Sequence, residues 1–336
     1  MQVHLVDGTY ELFRYHYSSN NRDLERGAVR GVVNSMLQLV EDGATHIGVA
    51  TDHVIESFRN ELWADYKDGS GVDPQLKAQF PVLEETLEAA GFAVWPQTTF
   101  EADDGLAAGA VLAAAHDDVE RVVICTPDKD MAQLVGGKVV QWDRRQDKWF
   151  DTAGVQEKFG VLPESIPDWL GLVGDAADGF PGLPGWGAKS AATVLARYLH
   201  IEDIPPAAGQ WDITVRSGAK LAKVLQDSLD EALLFRTIAT LQPDAPVSAS
   251  VEDMTWRGPQ AGFAEVAASL DADRLAERAD RLARRCSAGV RRRAGPARRR
   301  TPWAAPRRAG RTCTGAAPCP AASGRSGSSP GSGRPS

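Results

Sequence analysis

Val3-His4-Leu5-Val6-Asp7-Gly8 is a short, mostly apolar run closed by a carboxylate and a glycine. The same grammar returns at His46-Ile47-Gly48-Val49-Ala50-Thr51-Asp52. It returns again at Arg121-Val122-Val123-Ile124-Cys125-Thr126-Pro127-Asp128, with Asp130 close behind. Short apolar runs ending in turn residues read as buried strands. Between them lie stretches of helical spacing. Gly27–Leu39 sets Val29, Val32, Val33, Met36 and Leu39 three or four apart, and Pro74–Ala90 does the same with Leu76, Phe80, Leu83 and Leu87. Ala102–Ala115 is an Ala-rich helix able to pack closely, while Phe92–Val94 and Lys138–Trp142 add short strands. Strands alternating with helices predict an α/β class with a mostly parallel sheet over residues 1–160. In such a sheet the carboxyl ends of the strands share one edge, where ligands bind.

Beyond residue 160 the strand signal fades. Pro163–Val173 and Ala188–Tyr198 read as helices on either side of a Gly/Pro-rich loop, and Ser217–Gln226, Ser228–Leu241 and Gly262–Arg284 read as further helices. A helical domain over 161–284 is therefore expected. From 285 to 336 the chain holds 12 Arg and no Lys, Asp or Glu, among Pro, Gly, Ser and Ala without periodicity. Such a segment buries too little apolar surface to offset its ordering entropy, so disorder is expected. A basic arm attracted to phosphate and out-of-frame translation of a GC-rich gene both remain open for it.

With that tail set aside, 25 basic residues face 45 acidic ones, a net of −20 over residues 1–284. A body this acidic is not a sequence-independent coat for nucleic acid, though it suits an enzyme that gathers carboxylates around cations. The four cysteines form no CxxC pair, so neither a disulfide framework nor a zinc site is implied. Absence of a long apolar run and of a signal-like N-terminus gives the cytoplasm as the expected compartment.

The chemistry lies in nine carboxylates from five segments: Asp7; Asp52; Glu101, Asp103 and Asp104; Asp128 and Asp130; Asp175 and Asp178. Drawn into one cleft without compensation they would repel one another and protonate. Divalent cations remove the conflict, and all-oxygen donors favour Mg²⁺ or Mn²⁺. Two ions roughly 4 Å apart would clamp the attacking and leaving oxygens of a phosphodiester. Asp103 and Asp104 also suit a helix N-terminus, which offers partial positive charge to acids.

Gly182-Leu183-Pro184-Gly185-Trp186-Gly187-Ala188-Lys189-Ser190 lies between two expected helices. Ala188 stands where a Walker A loop needs glycine and no strand precedes it, so nucleotide binding is a poor fit. A helix-hairpin-helix is the better reading: glycines let the backbone approach a phosphate, amide N–H groups of the following helix hold it, and Lys189 adds charge.

These motifs, taken together and in order, resemble the 5′ nuclease (flap endonuclease) family, including the 5′ nuclease domain of bacterial DNA polymerase I and its free-standing 5′→3′ exonuclease relatives. The resemblance runs over about residues 1–240 and rests on Val6-Asp7-Gly8, Ala50-Thr51-Asp52, Ser57-Phe58-Arg59, Asp65-Tyr66-Lys67, Phe100-Glu101-Ala102-Asp103-Asp104, Asp128-Lys129-Asp130 with Gln133-Leu134, Gly174-Asp175 with Asp178, and the Gly182–Lys189 hairpin. It implies a PIN-like domain followed by a helical domain with an H3TH motif, acting on DNA in replication or repair. On that footing Asp7, Asp52, Glu101, Asp103 and Asp104 hold a first metal, and Asp128, Asp130, Asp175 and Asp178 hold or orient a second. Arg59 and Lys67 match residues contacting the scissile phosphate, and Arg14 falls near another contact. Gly182, Gly185, Gly187, Lys189 and Ser190 hold duplex DNA, with a K⁺ ion at the hairpin. Tyr10, Phe13 or Tyr15 either stacks on a displaced base or packs in the core.

Three departures qualify the match. Asp68-Gly69-Ser70-Gly71-Val72 replaces the Arg- and Pro-containing stretch usual after Lys67, which favours exonuclease action over threading of a flap. Gly179 follows Asp178 where Asn is common. No polymerase region follows, so a free-standing monomeric nuclease is expected, with a polymerase acting in trans. A non-catalytic binder of DNA structures and a PIN-type ribonuclease are the rival readings.

Overall fold

The computed structural model describes residues 1–18 and 26–293, with side chains described as far as 286. Among them, six strands build one sheet: β1 (Gln2–Asp7), β2 (His46–Asp52), β3 (Ala93–Gln97), β4 (Arg121–Cys125), β5 (Val139–Asp143) and β6 (Lys148–Phe150), in the spatial order β3-β2-β1-β4-β5-β6. All neighbours pair in parallel except β5 and β6. β1 lies inside the sheet, and Val3, Leu5 and Val6 are fully buried, as a run covered on both faces requires. The strand order reverses at β1, between β2 and β4, so the crevice at the ends of β1 and β4 is the topological switch point.

Helices α1 (Gly8–His16), α2 (Gly27–Glu41), α3 (Arg59–Leu62), α4 (Pro74–Lys77), α5 (Gln79–Ala89) and α6 (Ala102–Ala115) accompany this sheet. The core on one face joins Val6, Val49 and Val123 to α2 and α5 through Met36, Leu37, Leu83 and Leu87. The other face is covered by α6, with Leu106, Ala107 and Ala110 against Leu5, Ala50 and Ile124. The Ala-rich sequence of α6 sets how near that helix can lie. Four elements escaped the sequence reading: α1, α3, β6 and α7 (Thr152–Phe159). The expected helix over 74–90 is divided at Ala78, between α4 and α5.

The helical half consists of α8 (Ile166–Val173), α9 (Ala188–Tyr198), α10 (Gly218–Asp227) and α11 (Leu229–Ala239), gathered around Trp169, Leu170, Phe180, Leu195 and Phe235. The chain then returns to the sheet. Trp256 donates its backbone N–H to Thr45 and its indole N–H to Ala90. Phe263 and Leu270 of the segment around α12 (Phe263–Ser269), and Leu275 and Leu282 of α13 (Asp273–Arg293), belong to the core beside α2 and α5. This corrects the assignment of 161–284 to one helical domain. Periodicity shows that a helix has an apolar face but not which layer buries it.

The helix expected over 262–284 is also two. Asp271 takes a positive φ of 53° and Ala272 donates back to Ala267, ending α12 as a capped turn. α13 continues to Arg293, inside the stretch assigned to the tail, because Arg and Ala propagate a helix and the first proline comes only at Pro296. The rest of that tail lies outside the described residues.

Candidate active site

Strand-end carboxylates need fixed positions, and local hydrogen bonds supply them. Asp7 caps α1, accepting from the Tyr10 N–H at 2.7 Å, while its other oxygen accepts from the Thr126 hydroxyl at 2.9 Å. The Asp52 carboxylate accepts from the Ala102 N–H at 2.6 Å, tying the end of β2 to the start of α6, and its own N–H donates to Thr9 at 2.8 Å. Asp128 accepts from the Asp130 N–H at 2.9 Å. Burial, with repulsion from Asp52 and Asp128, pushes Asp7 up to about 7. Burial, with repulsion from Glu101, pushes Asp52 up to about 6. Asp103 is raised well above the carboxylate range by burial and by Asp128 and Asp7, which places it with this group.

A second set gathers where the helical half meets the sheet edge. One oxygen each from Asp130, Asp175 and Asp178 lies within 4.8 Å of the others. Asp130 is raised well above the usual range by burial and by Asp128, Asp178 and Asp175, and its Oδ1 is buried without a hydrogen-bond partner. Asp175 is paired with the Lys129 ammonium and accepts from the Ala177 N–H at 3.0 Å. Lys67 bridges the segments, reaching Glu101 at 3.0 Å and Asp178 at 3.1 Å, and its backbone N–H donates to the Asp178 carbonyl at 2.9 Å. Gly179 stands at φ +83°, and a Cβ there would lie 2.0 Å from the Asp65 carbonyl oxygen. Close approach of these two loops thus requires the glycine that the sequence reading counted as a departure.

Asp128, expected with the second set, also faces Asp7 and Asp103, and Asp104 and Arg59 pair with each other. Asp104 is fully buried, with both oxygens held by Arg59 at 2.7 and 2.8 Å and a further contact from the Gln242 N–H at 2.9 Å. Its carboxylate ties α6 to Arg59 and to the chain after α11. Arg59 is only 2% exposed, and its other donors go to the carbonyls of Ile238 and Thr240. The guanidinium joins α3, α6 and the end of α11. Sequence order placed both residues among the functional motifs, and their mutual pairing sets them apart from the rest. Glu101 is intermediate in character. It accepts from the Ser57 hydroxyl at 2.6 Å and the Tyr66 hydroxyl at 3.2 Å. Burial raises it, but Lys67 and Arg59 outweigh that and hold it below the usual value.

Arg14 pairs with Glu11 and lies over the Tyr15 ring at 4.4 Å, at the end of α1. Phe13 packs edge-on to Phe80, and both Phe13 and Tyr15 lean on the sheet core, the packing alternative of the earlier reading. Lys129 and Thr126 were not singled out, although both lie inside the quoted Thr126–Asp130 motif. A lysine between two aspartates was the available signal.

The hairpin joins α8 to α9. Gly182 takes φ +67°, and a Cβ there would lie 2.3 Å from the Gly174 nitrogen, so two backbones touch at its base. Gly187 caps α9, with Ser190 Oγ accepting from the Gly187 N–H at 3.0 Å and donating to its carbonyl at 2.9 Å. Gly185 and Lys189 are exposed at the tip.

A parallel sheet with acids gathered along its carboxyl edge, followed by a helical hairpin unit, is the architecture of a resolvase-like domain joined to a SAM-like one. Residues 2–160 match the model for the 5′-3′ exonuclease N-terminal resolvase-like domain, and residues 161–262 match that for the 5′-3′ exonuclease C-terminal SAM fold. The chain belongs to the 5′-3′ exonuclease family. It is 31% identical over 264 residues to DNA polymerase I of Bacillus subtilis, covering 76% of this chain and 29% of the relative. It is 30% identical over 264 residues to the 5′-3′ exonuclease of Aquifex aeolicus, covering 76% of this chain and 87% of the relative. The chain thus spans under a third of the polymerase relative and most of the exonuclease. A bacteriophage T5 flap endonuclease, solved as a complex with DNA and metal ions, shares the fold with a TM-score of 0.56 at 21% identity, over 84% of this chain and 98% of that one.

Proposed function

We propose that the protein is a divalent-metal-dependent 5′ nuclease that hydrolyses DNA phosphodiesters near a 5′ end, acting as a 5′→3′ exonuclease in replication or repair. The observation carrying this reading is the Asp130–Asp175–Asp178 trio, whose oxygens lie within 4.8 Å of one another, with the Asp130 Oδ1 buried and unpartnered. An orphaned carboxylate oxygen among facing carboxylates fits a hard cation, and Mg²⁺ or Mn²⁺ is the matching choice. Asp7, Asp52, Asp103 and Asp128 form the first set, with Glu101 at its border; Asp130, Asp175 and Asp178 form the second. When bound there, divalent ions supply Lewis acidity to the phosphodiester and its attacking water.

The chain's own residues do the rest. Lys67, already between Glu101 and Asp178, brings a positive charge to the junction of the two sets, suited to a transferring phosphate. The N-terminus of α9 and exposed Lys189 present donors to the backbone of duplex DNA without reading bases. A K⁺ ion at the hairpin is part of the same proposal. The segment after Lys67 folds as a short turn over Gly69–Gly71, with Asp68 accepting from the Ser70 N–H at 2.9 Å. With Asp68 here and no arginine, this segment gives little purchase on a threaded strand, which supports attack at an end or nick over threading of a long flap.

A labelled substrate panel tests this: DNA 5′ flap, nick, blunt duplex and single strand, with matched RNA forms, each with Mg²⁺ or EDTA. The expected result is release of 5′-phosphorylated products from nicked and blunt duplex with Mg²⁺ alone. Binding without cleavage on every substrate would mark a non-catalytic DNA-structure binder, and preference for matched RNA a ribonuclease.

A further inference from the structure

The three carboxylates of the second set are not equally available. Asp130 Oδ1 is buried and unpartnered, Asp178 Oδ1 is held by Lys67 at 3.1 Å, and Asp175 Oδ2 is held by Lys129. The other oxygen of Asp175 already accepts from the Ala177 N–H at 3.0 Å. An ion at this trio therefore competes with the Lys129 ammonium for Asp175. The two lysines differ in how firmly they are held. Lys67 is anchored by two carboxylates and by its backbone N–H to the Asp178 carbonyl. Lys129 has Asp175 as its one ion-pair partner among the described residues, and its side chain is 34% exposed. A part-exposed ammonium on a four-carbon stem exchanges its partner for water more readily than one held by two carboxylates.

We propose that Lys129 is a resident counter-ion of the second metal set. It neutralises Asp175 in the metal-free protein and competes with the divalent ion for that carboxylate, so that it sets the affinity of this set. The inference rests on the reading of the trio as a metal site. It makes Lys129 an affinity-determining residue rather than a catalytic one, because no contact with substrate is needed for its effect.

Calorimetric titration of metal-stripped protein with Mn²⁺, in the absence of DNA, tests this. The relevant binding event is the one lost in Asp130→Ala. Lys129→Met should tighten that event by about fivefold, the scale of one half-exposed ion pair. Lys129→Arg should weaken it, because a guanidinium fork grips a carboxylate more firmly than an ammonium does. The two variants move in opposite directions, so the arginine form carries the test alone if the methionine form does not fold by circular dichroism. Wild-type protein that takes up no Mn²⁺ overturns the metal site and the role of Lys129 together. Wild type that binds the ion, with either folded variant unchanged or shifted the other way, overturns the role of Lys129 alone.

Discussion

Asp103 and Asp104 are neighbours in sequence at the start of α6, yet their surroundings are opposite. Asp104 is fully buried with both oxygens on Arg59, whereas Asp103 is raised by burial and by the facing Asp128 and Asp7. Removing one partner of a buried ion pair strands the other charge, at a cost of about 3–5 kcal/mol. Asp104→Ala should therefore lose roughly that much stability in urea unfolding, while Asp103→Asn should leave the metal-free protein as stable or more so. Equal effects of the two substitutions would contradict the division made here. At this scale the sequence was legible in residue type and order but not in partnership. All nine acids were visible, and it took burial to show that Asp104 and Arg59 serve each other. Lys129 was hidden for the same reason, since Asp175 lies far along the chain.

Among the elements, the apolar strands were readable because the sheet buries them on both faces, leaving little else that such runs can become. Breaks were harder. Pro81, in the first turn of α5, marks the break at Ala78, but Asp271 interrupts a helix without a glycine or proline to mark it, and α12 and α13 look like any amphipathic helix until their layer is known. The hairpin makes separate predictions. Gly182→Ala forces a side chain into a left-handed position against the Gly174 nitrogen and should cost about 1–3 kcal/mol. Gly187 has extended backbone and open space, so Gly187→Ala should stay within about 0.5 kcal/mol. Lys189→Ala should weaken duplex binding across sequences and lower the salt slope by about 1, checked by binding titrations at several ionic strengths. An unchanged slope would remove Lys189 from the DNA grip.

For the molecule as a whole, gathering these acids carries a stability cost that a cation offsets. Asp7 at about 7 and Asp52 at about 6 lie above their ordinary values near 4, so the folded protein keeps protons that the unfolded chain has released. Their contribution is fully present below about pH 4 and is lost as pH rises through 6 and 7. Metal-free protein should accordingly lose melting temperature between about pH 5 and 8, and Mg²⁺ should restore more of it at pH 8 than at pH 5. Thermal unfolding with EDTA or Mg²⁺ at both values checks the sign. The central claim, that the two carboxylate sets are one hydrolytic metal centre beside a separate grip on DNA, is tested most directly by Asp130→Ala on an end-labelled nicked duplex. Cleavage with Mg²⁺ should vanish while duplex affinity persists. Turnover like that of the wild type would contradict the account.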